Sequence, residues 1–212
     1  MSEIQAAVVG SGFIGPVHVE ALRRAGVSVI GILDVDWERS KQAAGALHIK
    51  KAYRDLDQLL ADSDVHAVHI AVPNRLHYDM AARTLHSGKH VMCEKPLAMN
   101  SRESSELVRM AETAGVAAGV NYNIRYYPLC LEAAQQVQDG LVGELFHVAG
   151  CYVQDWLFHD TDFNWRVLAD EGGSLRAVAD IGTHWLDLIQ TIVGREVSAV
   201  CADLSTVYPV RR

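Results

Sequence analysis

The chain has 212 residues, half of them hydrophobic and about a fifth charged, enough for a sizeable core in one or two domains. A formal net charge of −7 with no Lys/Arg cluster argues against a nucleic-acid surface, and no apolar run reaches the ~18 residues of a membrane span. The four cysteines lack metal-ligand spacing and each lies in an apolar stretch, so buried reduced thiols are expected, as is a cytoplasmic location for an N-terminus without leader character.

The first apolar run, residues 6–9, enters the turn Gly10-Ser11-Gly12-Phe13-Ile14-Gly15. A helical stretch follows to Arg24, and a second apolar run, 27–33, ends on Asp34. Each glycine has a task in such a strand, turn and helix. Gly10 makes the tight turn, Gly12 lets backbone approach a pyrophosphate, and Gly15 lets the helix pack on the sheet. Phe13 and Ile14 lie where free N–H groups of the helix start favour phosphate. Asp34, 19 residues past Gly15, can accept hydrogen bonds from both hydroxyls of an adenosine ribose. Val35, Asp36 and Trp37 follow with no adjacent arginine, which predicts NAD rather than NADP.

Residues 37–47 have helical spacing, and 53–60 start a short helix with Leu56, Leu59 and Leu60 on one face. The apolar run 65–72 predicts a parallel strand covered on both sides, and it stops at Pro73-Asn74. A helix over 77–87 ends at Gly88, and a strand over 90–93 ends in Glu94-Lys95-Pro96. Asn100 and Glu103 resemble a capping box for a helix to Ala114, and 116–120 closes the alternation. Residues 1–122 are therefore predicted to be a dinucleotide-binding Rossmann domain, a doubly wound parallel sheet of the α/β class.

The character then changes. Residues 121–128 are polar and aromatic, and Pro128 suits the first turn of a helix ending near Gly140. Residues 144–155 and 197–204 predict two strands, separated by an aromatic and acidic loop over 156–170. Gly172-Gly173 precedes a helix over 174–193, which Gly194 ends.

Two groups could do chemistry. Lys95 sits at the carboxyl end of a parallel strand, where open α/β sheets bind ligands; the bland alternative is a solvated loop lysine. Asp180, His184 and Asp187 follow i, i+4, i+7 and share a helix face, with Gly182 removing bulk between them; a surface polar stripe is the alternative there. No further His or Cys at helical or turn spacing completes a metal site, and no metal is expected.

The glycine turn, Val72-Pro73-Asn74-x-x-His77, Glu94-Lys95-Pro96, and Gly172-Gly173 leading to Asp180-x-Gly-x-His184-x-x-Asp187 resemble the Gfo/Idh/MocA family of oxidoreductases, dehydrogenases of sugar and inositol type. The resemblance runs from residue 4 to the end and implies NAD on the Rossmann domain, held by the glycine turn, Asp34, Val72, Pro73, Asn74, His77, Glu94 and Lys95. It implies a second α/β domain, 123–212, with a predominantly antiparallel open sheet for substrate and subunit contacts, and hence a homo-oligomer through this half. Family members carry several more strands after the equivalent of 197–204, so that domain is expected to be partial. The resemblance also implies that Lys95, Asp180 and His184 face nicotinamide and substrate, that Trp165 and Arg166 point at the cofactor or substrate, and that Tyr122, Asn123 and Arg125 line the substrate pocket.

The implied chemistry is loss of hydride from a secondary alcohol to nicotinamide while its hydroxyl loses a proton. A histidine, with an ordinary pKa near ~6.5, is the natural general base, and a lysine can stabilise the developing oxyanion. Either Lys95 or His184 can take the proton, and Asp180 can orient the imidazole or bind a substrate hydroxyl. The expected function is an NAD-dependent dehydrogenase of a sugar, polyol or related compound. The alternative is a nicotinamide-binding protein without turnover, a sensor or the remnant of a truncated gene.

Overall fold

The structure, a computed structural model, describes residues 4–211. The first unit ends at Asn121 and is built around β1 (Gln5–Val9). Ala6, Ala7, Val8 and Val9 are each at most 1% exposed, because helices cover both faces of the sheet and successive side chains point to opposite faces. Ala6 and Val8 pack under α1 (Gly15–Arg24) and α2 (Trp37–Ala46), against Val19, Leu22, Ala43 and Ala44. Ala7 and Val9 face a second cluster that includes Leu56, Leu59, Ala81, Leu85 and Leu107. Those side chains come from α3 (Leu56–Ala61), α4 (His77–His86) and α5 (Ser101–Ala114).

The other strands are β2 (Ser28–Leu33), β3 (Lys51–Ala52), β4 (Ala67–Ile70), β5 (His90–Cys93) and β6 (Ala118–Val120). The six lie parallel in the order β3-β2-β1-β4-β5-β6. The two-residue β3 is too short to announce itself by periodicity. The chain leaves β1 for β2 on one side and resumes at β4 on the other, so the order reverses between β1 and β4. The carboxyl ends of the strands at such a switch point are the usual ligand site. Asp36, Asp55 and Asn100 cap α2, α3 and α5 by accepting the N–H groups of Arg39, Gln58 and Glu103. Glu103 reaches back to the Met99 N–H and to the Asn100 amide, a capping box displaced by one residue.

The second unit begins at Tyr122. α6 (Pro128–Gln138) opens on its proline and packs on α8 (Thr183–Val193), which Gly194 ends in a left-handed conformation. Between them lies α7 (Ala169–Gly172), a single turn. A continuous helix over 174–193 is not formed. Arg176 adopts a φ of 49°, and the backbone makes a π turn over Val178–Gly182 before α8 begins.

Nor is the antiparallel open sheet expected of this unit seen among the described residues. Residues 144–155 and 197–204 pair with no strand among the described residues. Apolar alternation makes a segment suitable for a sheet, but only a neighbouring backbone makes it a strand. Phe146, Val153, Val200 and Leu204 are consequently exposed. The thiols divide along the same line: Cys93 is buried, whereas Cys151 and Cys201, in the two unpaired segments, are exposed against expectation. Among the described residues no helix is long and apolar enough to cross a membrane, and no group of three His, Cys, Asp or Glu could hold a metal ion.

Candidate active site

The turn after β1 is shaped by close backbone contacts. Gly10 has a φ of 98°, and a Cβ on it would stand 2.3 Å from the Ala71 carbonyl oxygen. A Cβ on Gly15 would stand 2.0 Å from the Gly10 carbonyl oxygen, so α1 can start on this turn only from glycine. At Gly12 a Cβ would meet nothing within 4 Å, which leaves bare backbone facing outward beside exposed Phe13 and half-buried Ile14. No side chain caps α1 and no acid lies in its first turn, so its N–H groups are offered to an anion. These residues fit a dinucleotide pyrophosphate.

Asp34, at the end of β2, is already oriented. The Ser11 N–H donates to Oδ2 at 2.7 Å, the Ser11 hydroxyl donates to the same oxygen, and the Val35 N–H donates to Oδ1 at 2.7 Å. Burial alone would raise the Asp34 carboxyl; the hydrogens of Ser11 and Val35 and the Arg39 guanidinium outweigh it and hold it below the ordinary aspartate value. The reading that no arginine is adjacent is therefore corrected. Arg39 Nε stands 3.6 Å from Asp34 Oδ1, because the Asp36 cap turns the first residues of α2 back toward the strand end. Asp36 as a helix-capping residue was the signal that could have found it.

Two more turns stand at the ends of β4 and β5. Val72 and Pro73 are half-buried and Asn74 is buried, while His77 is fully buried behind them. Its Nδ1 lies 2.7 Å from the Pro96 carbonyl oxygen and its Nε2 2.8 Å from that of Val72, so it braces the two turns from within. Burial lowers its pKa, against the pull of the Pro96 and Val72 carbonyls and of Glu94. Glu94 Oε1 accepts from Asn121 at 2.6 Å and lies 3.0 Å from His18 Nε2, while Oε2 accepts the Lys95 N–H at 3.3 Å. Lys95 is half-buried and precedes a cis peptide bond to Pro96. Sequence reasoning missed Ser11, His18, His69 and Asn121, whose contacts join different elements and leave no periodic trace.

In the second unit, Tyr122 and Tyr152 set their rings edge-on to buried His184, with centroids 5.7 and 6.3 Å away. Burial raises the Tyr122 phenol. Asp180 Oδ1 lies 3.2 Å from Arg166 Nε. The Arg166 guanidinium in turn lies 4.4 Å over the Trp165 ring and 5.9 Å from that of Trp156. Asp187 accepts two hydrogen bonds from Arg125, one from Nε at 2.8 Å, and the Arg125 pKa is raised by that contact. Asn123 is exposed in a single 3₁₀ turn. A π turn over Val178–Gly182 alters the helical spacing between 180 and 184, where the sequence predicts one shared face.

Comparison with known proteins gives matches along the whole chain. A family model described as an oxidoreductase family with NAD-binding Rossmann fold matches residues 4–122, and the Gfo/Idh/MocA C-terminal domain model matches residues 130–212. Levoglucosan dehydrogenase from Pseudarthrobacter phenanthrenivorans is 31% identical over 223 residues, covering 100% of this chain and 56% of that protein. Myo-inositol 2-dehydrogenase from Thermotoga maritima is 28% identical, covering 92% and 57%. A solved levoglucosan dehydrogenase, in complex with NADH and levoglucosan, superposes with a TM-score of 0.92 at 31% identity, over 98% of this chain and 58% of that one. The chain spans about half the length of the curated relatives it matches.

Proposed function

The chain belongs to the Gfo/Idh/MocA oxidoreductase family, and on that premise we propose that it is an NAD-dependent dehydrogenase acting on a secondary hydroxyl of a sugar, polyol or related compound. The observation that carries this reading is the cradle at residues 10–15, closed by glycine contacts and set beside an Asp34 carboxylate that Ser11 has already oriented. The relatives named for levoglucosan and myo-inositol support the substrate class.

When bound, NAD supplies the hydride acceptor. Ser11 and Asp34 would hold its adenosine ribose, the start of α1 its pyrophosphate, and the turns at Val72, Pro73 and Asn74 and at Glu94 its nicotinamide side. Lys95 stabilises negative charge on the substrate oxygen, and His184 exchanges its proton. Asp180 orients the His184 imidazole or binds a substrate hydroxyl, with Trp165 and Arg166 beside it facing the cofactor or substrate; Tyr122, Asn123 and Arg125 line the sugar site. We further propose a cytoplasmic protein that self-associates through residues 123–212, with 144–155 and 197–204 entering an antiparallel sheet when strand partners are supplied. Titration with NAD⁺, followed by absorbance assay of NADH across anhydrosugars, inositols and polyols, tests the function. Binding without NADH formation from any of them would leave a nicotinamide-binding protein without turnover and sink this reading.

A further inference from the structure

Four side chains of the first unit form one hydrogen-bonded chain that takes no direct part in the proposed reaction. His69 from β4, His18 from α1, Glu94 after β5 and Asn121 after β6 are joined in that order. The two Nδ1 atoms of His69 and His18 are 2.9 Å apart, His18 Nε2 is 3.0 Å from Glu94 Oε1, and the Asn121 amide donates to that oxygen at 2.6 Å. The His18 and Glu94 side chains are 6% and 12% exposed.

Proton counting sets the direction of the chain. Burial alone would raise the Glu94 carboxyl; hydrogens from His18 and Asn121, with the charges of His18 and Lys95, outweigh it and hold it below the ordinary glutamate value. Glu94 is therefore a carboxylate that only accepts, and His18 Nε2 must carry a hydrogen. Burial, with the charge of His18, pulls His69 down to about 4, so its ring is neutral near neutral pH and carries one hydrogen. A neutral His18 accepts the His69 Nδ1–H at its own Nδ1. A protonated His18 donates there instead, and the His69 hydrogen sits on Nε2. In both states the His18 Nε2–H stays on Glu94, so the grip on the carboxylate does not depend on the charge of His18.

We propose that His18 is a positioning residue for the Glu94-Lys95 turn: with Asn121 it orients Glu94, whose second oxygen takes the Lys95 N–H, and it thereby ties the dinucleotide helix to the lysine. The inference rests on the reading of Lys95 as catalytic. His77 completes the arrangement from the other side, since it grips the Pro96 carbonyl. One buried imidazole acts on the residue before the lysine and another on the residue after it.

Three measurements test this. In the unsubstituted protein, nitrogen NMR of the histidine rings should show a hydrogen on His18 Nε2 from about pH 6 to about pH 8; a bare Nε2 overturns the proposal. His18→Leu should raise the Glu94 titration, read by NMR of the glutamate carboxyls, by about one unit. It should also lower kcat roughly ten- to hundredfold, with KM for the sugar moving far less. His18→Gln places an amide N–H near the former Nε2 and should restore both readouts. A Glu94 titration unmoved in His18→Leu, or equal kcat losses in the two variants that follow their melting temperatures, would show a packing role only. The two NMR readouts need no turnover, so an NAD⁺-binding protein that oxidises no sugar would end the dehydrogenase reading while they still decided the role of His18.

Discussion

At Asp34 the contacts argue for NAD over NADP and also show what opposes that choice. A 2′-phosphate brings about two negative charges against a carboxylate whose hydrogen-bond donors are already engaged. Arg39 is 59% exposed, so its guanidinium offsets only part of the repulsion. NAD⁺ should bind roughly 10²-fold more tightly than NADP⁺, and calorimetric titration of both decides it. Equal affinities would refute the argument. Asp34→Ala frees Ser11, Val35 and Arg39 to face the 2′-phosphate and should reverse the preference, a gain that Arg39→Ala should then remove. Among the residues proposed to react, Lys95→Ala should cut kcat sharply while NAD⁺ affinity stays near its original value, because the loss would fall on transition-state charge. A Lys95→Ala protein that keeps most of its kcat would return the lysine to the role of a loop residue. His184→Ala should likewise lower kcat and flatten the acid limb of the pH–rate profile.

Among the elements, the junction of β1 with α1 tolerates least. Gly15→Ala drives a methyl group into the Gly10 carbonyl oxygen, and relief requires the helix start to shift away from the turn. A loss of ~1–3 kcal/mol in chemical denaturation, together with weakened NAD⁺ binding, is expected. Unchanged cofactor affinity in that variant would show that the pyrophosphate does not use the start of α1. A second element-level contact fastens short β3 to the turn after α3. Asp62 accepts from Lys51 Nζ at 2.7 Å and from the Tyr53 hydroxyl at 2.8 Å. Burial alone would raise Asp62, but the Lys51 and Tyr53 hydrogen bonds bring it down to about 2 from 3.8. A depressed carboxyl stabilises the fold fully above its unfolded value and loses that contribution as pH falls through the folded value. The melting temperature should therefore decline from about pH 4 to about pH 2, and Asp62→Asn should make the decline shallower.

For the whole molecule, self-association is expected from the segments of the second unit that pair with no strand among the described residues. Phe146 and Val153 on one, and Val200 and Leu204 on the other, are exposed on backbone that has no ladder partner among the described residues. Extended apolar backbone of this kind pairs with what is available, and a second copy of the chain is always available. Light scattering at several concentrations should show self-association. Limited proteolysis should cut within 143–163 or 195–210 before it cuts the first unit. A monomer at every concentration, with those segments as resistant as the Rossmann unit, would show that the second unit needs no partner.

The sequence by itself determined the elements whose cause is local. Residues 5–34 carry strand, glycine turn, helix, second strand and terminal acid in consecutive order, so their spacing alone specifies the dinucleotide cradle; α4, β5 and α5 were legible for the same reason. What depends on distant backbone was decided only by the tertiary structure. Alternation in 144–155 and 197–204 describes side chains that suit a sheet, whereas a strand needs N–H and C=O partners that no local pattern reveals. The i, i+4, i+7 spacing of Asp180, His184 and Asp187 assumes 3.6 residues per turn, and the π turn at Val178–Gly182 removes that assumption. Arg39 beside Asp34, and His18 and Asn121 on Glu94, arise because β2, β5 and β6 end at one edge of a sheet where α1 and α2 return. Periodicity reports which face of an element a residue occupies; which residues then meet is set by how the elements pack.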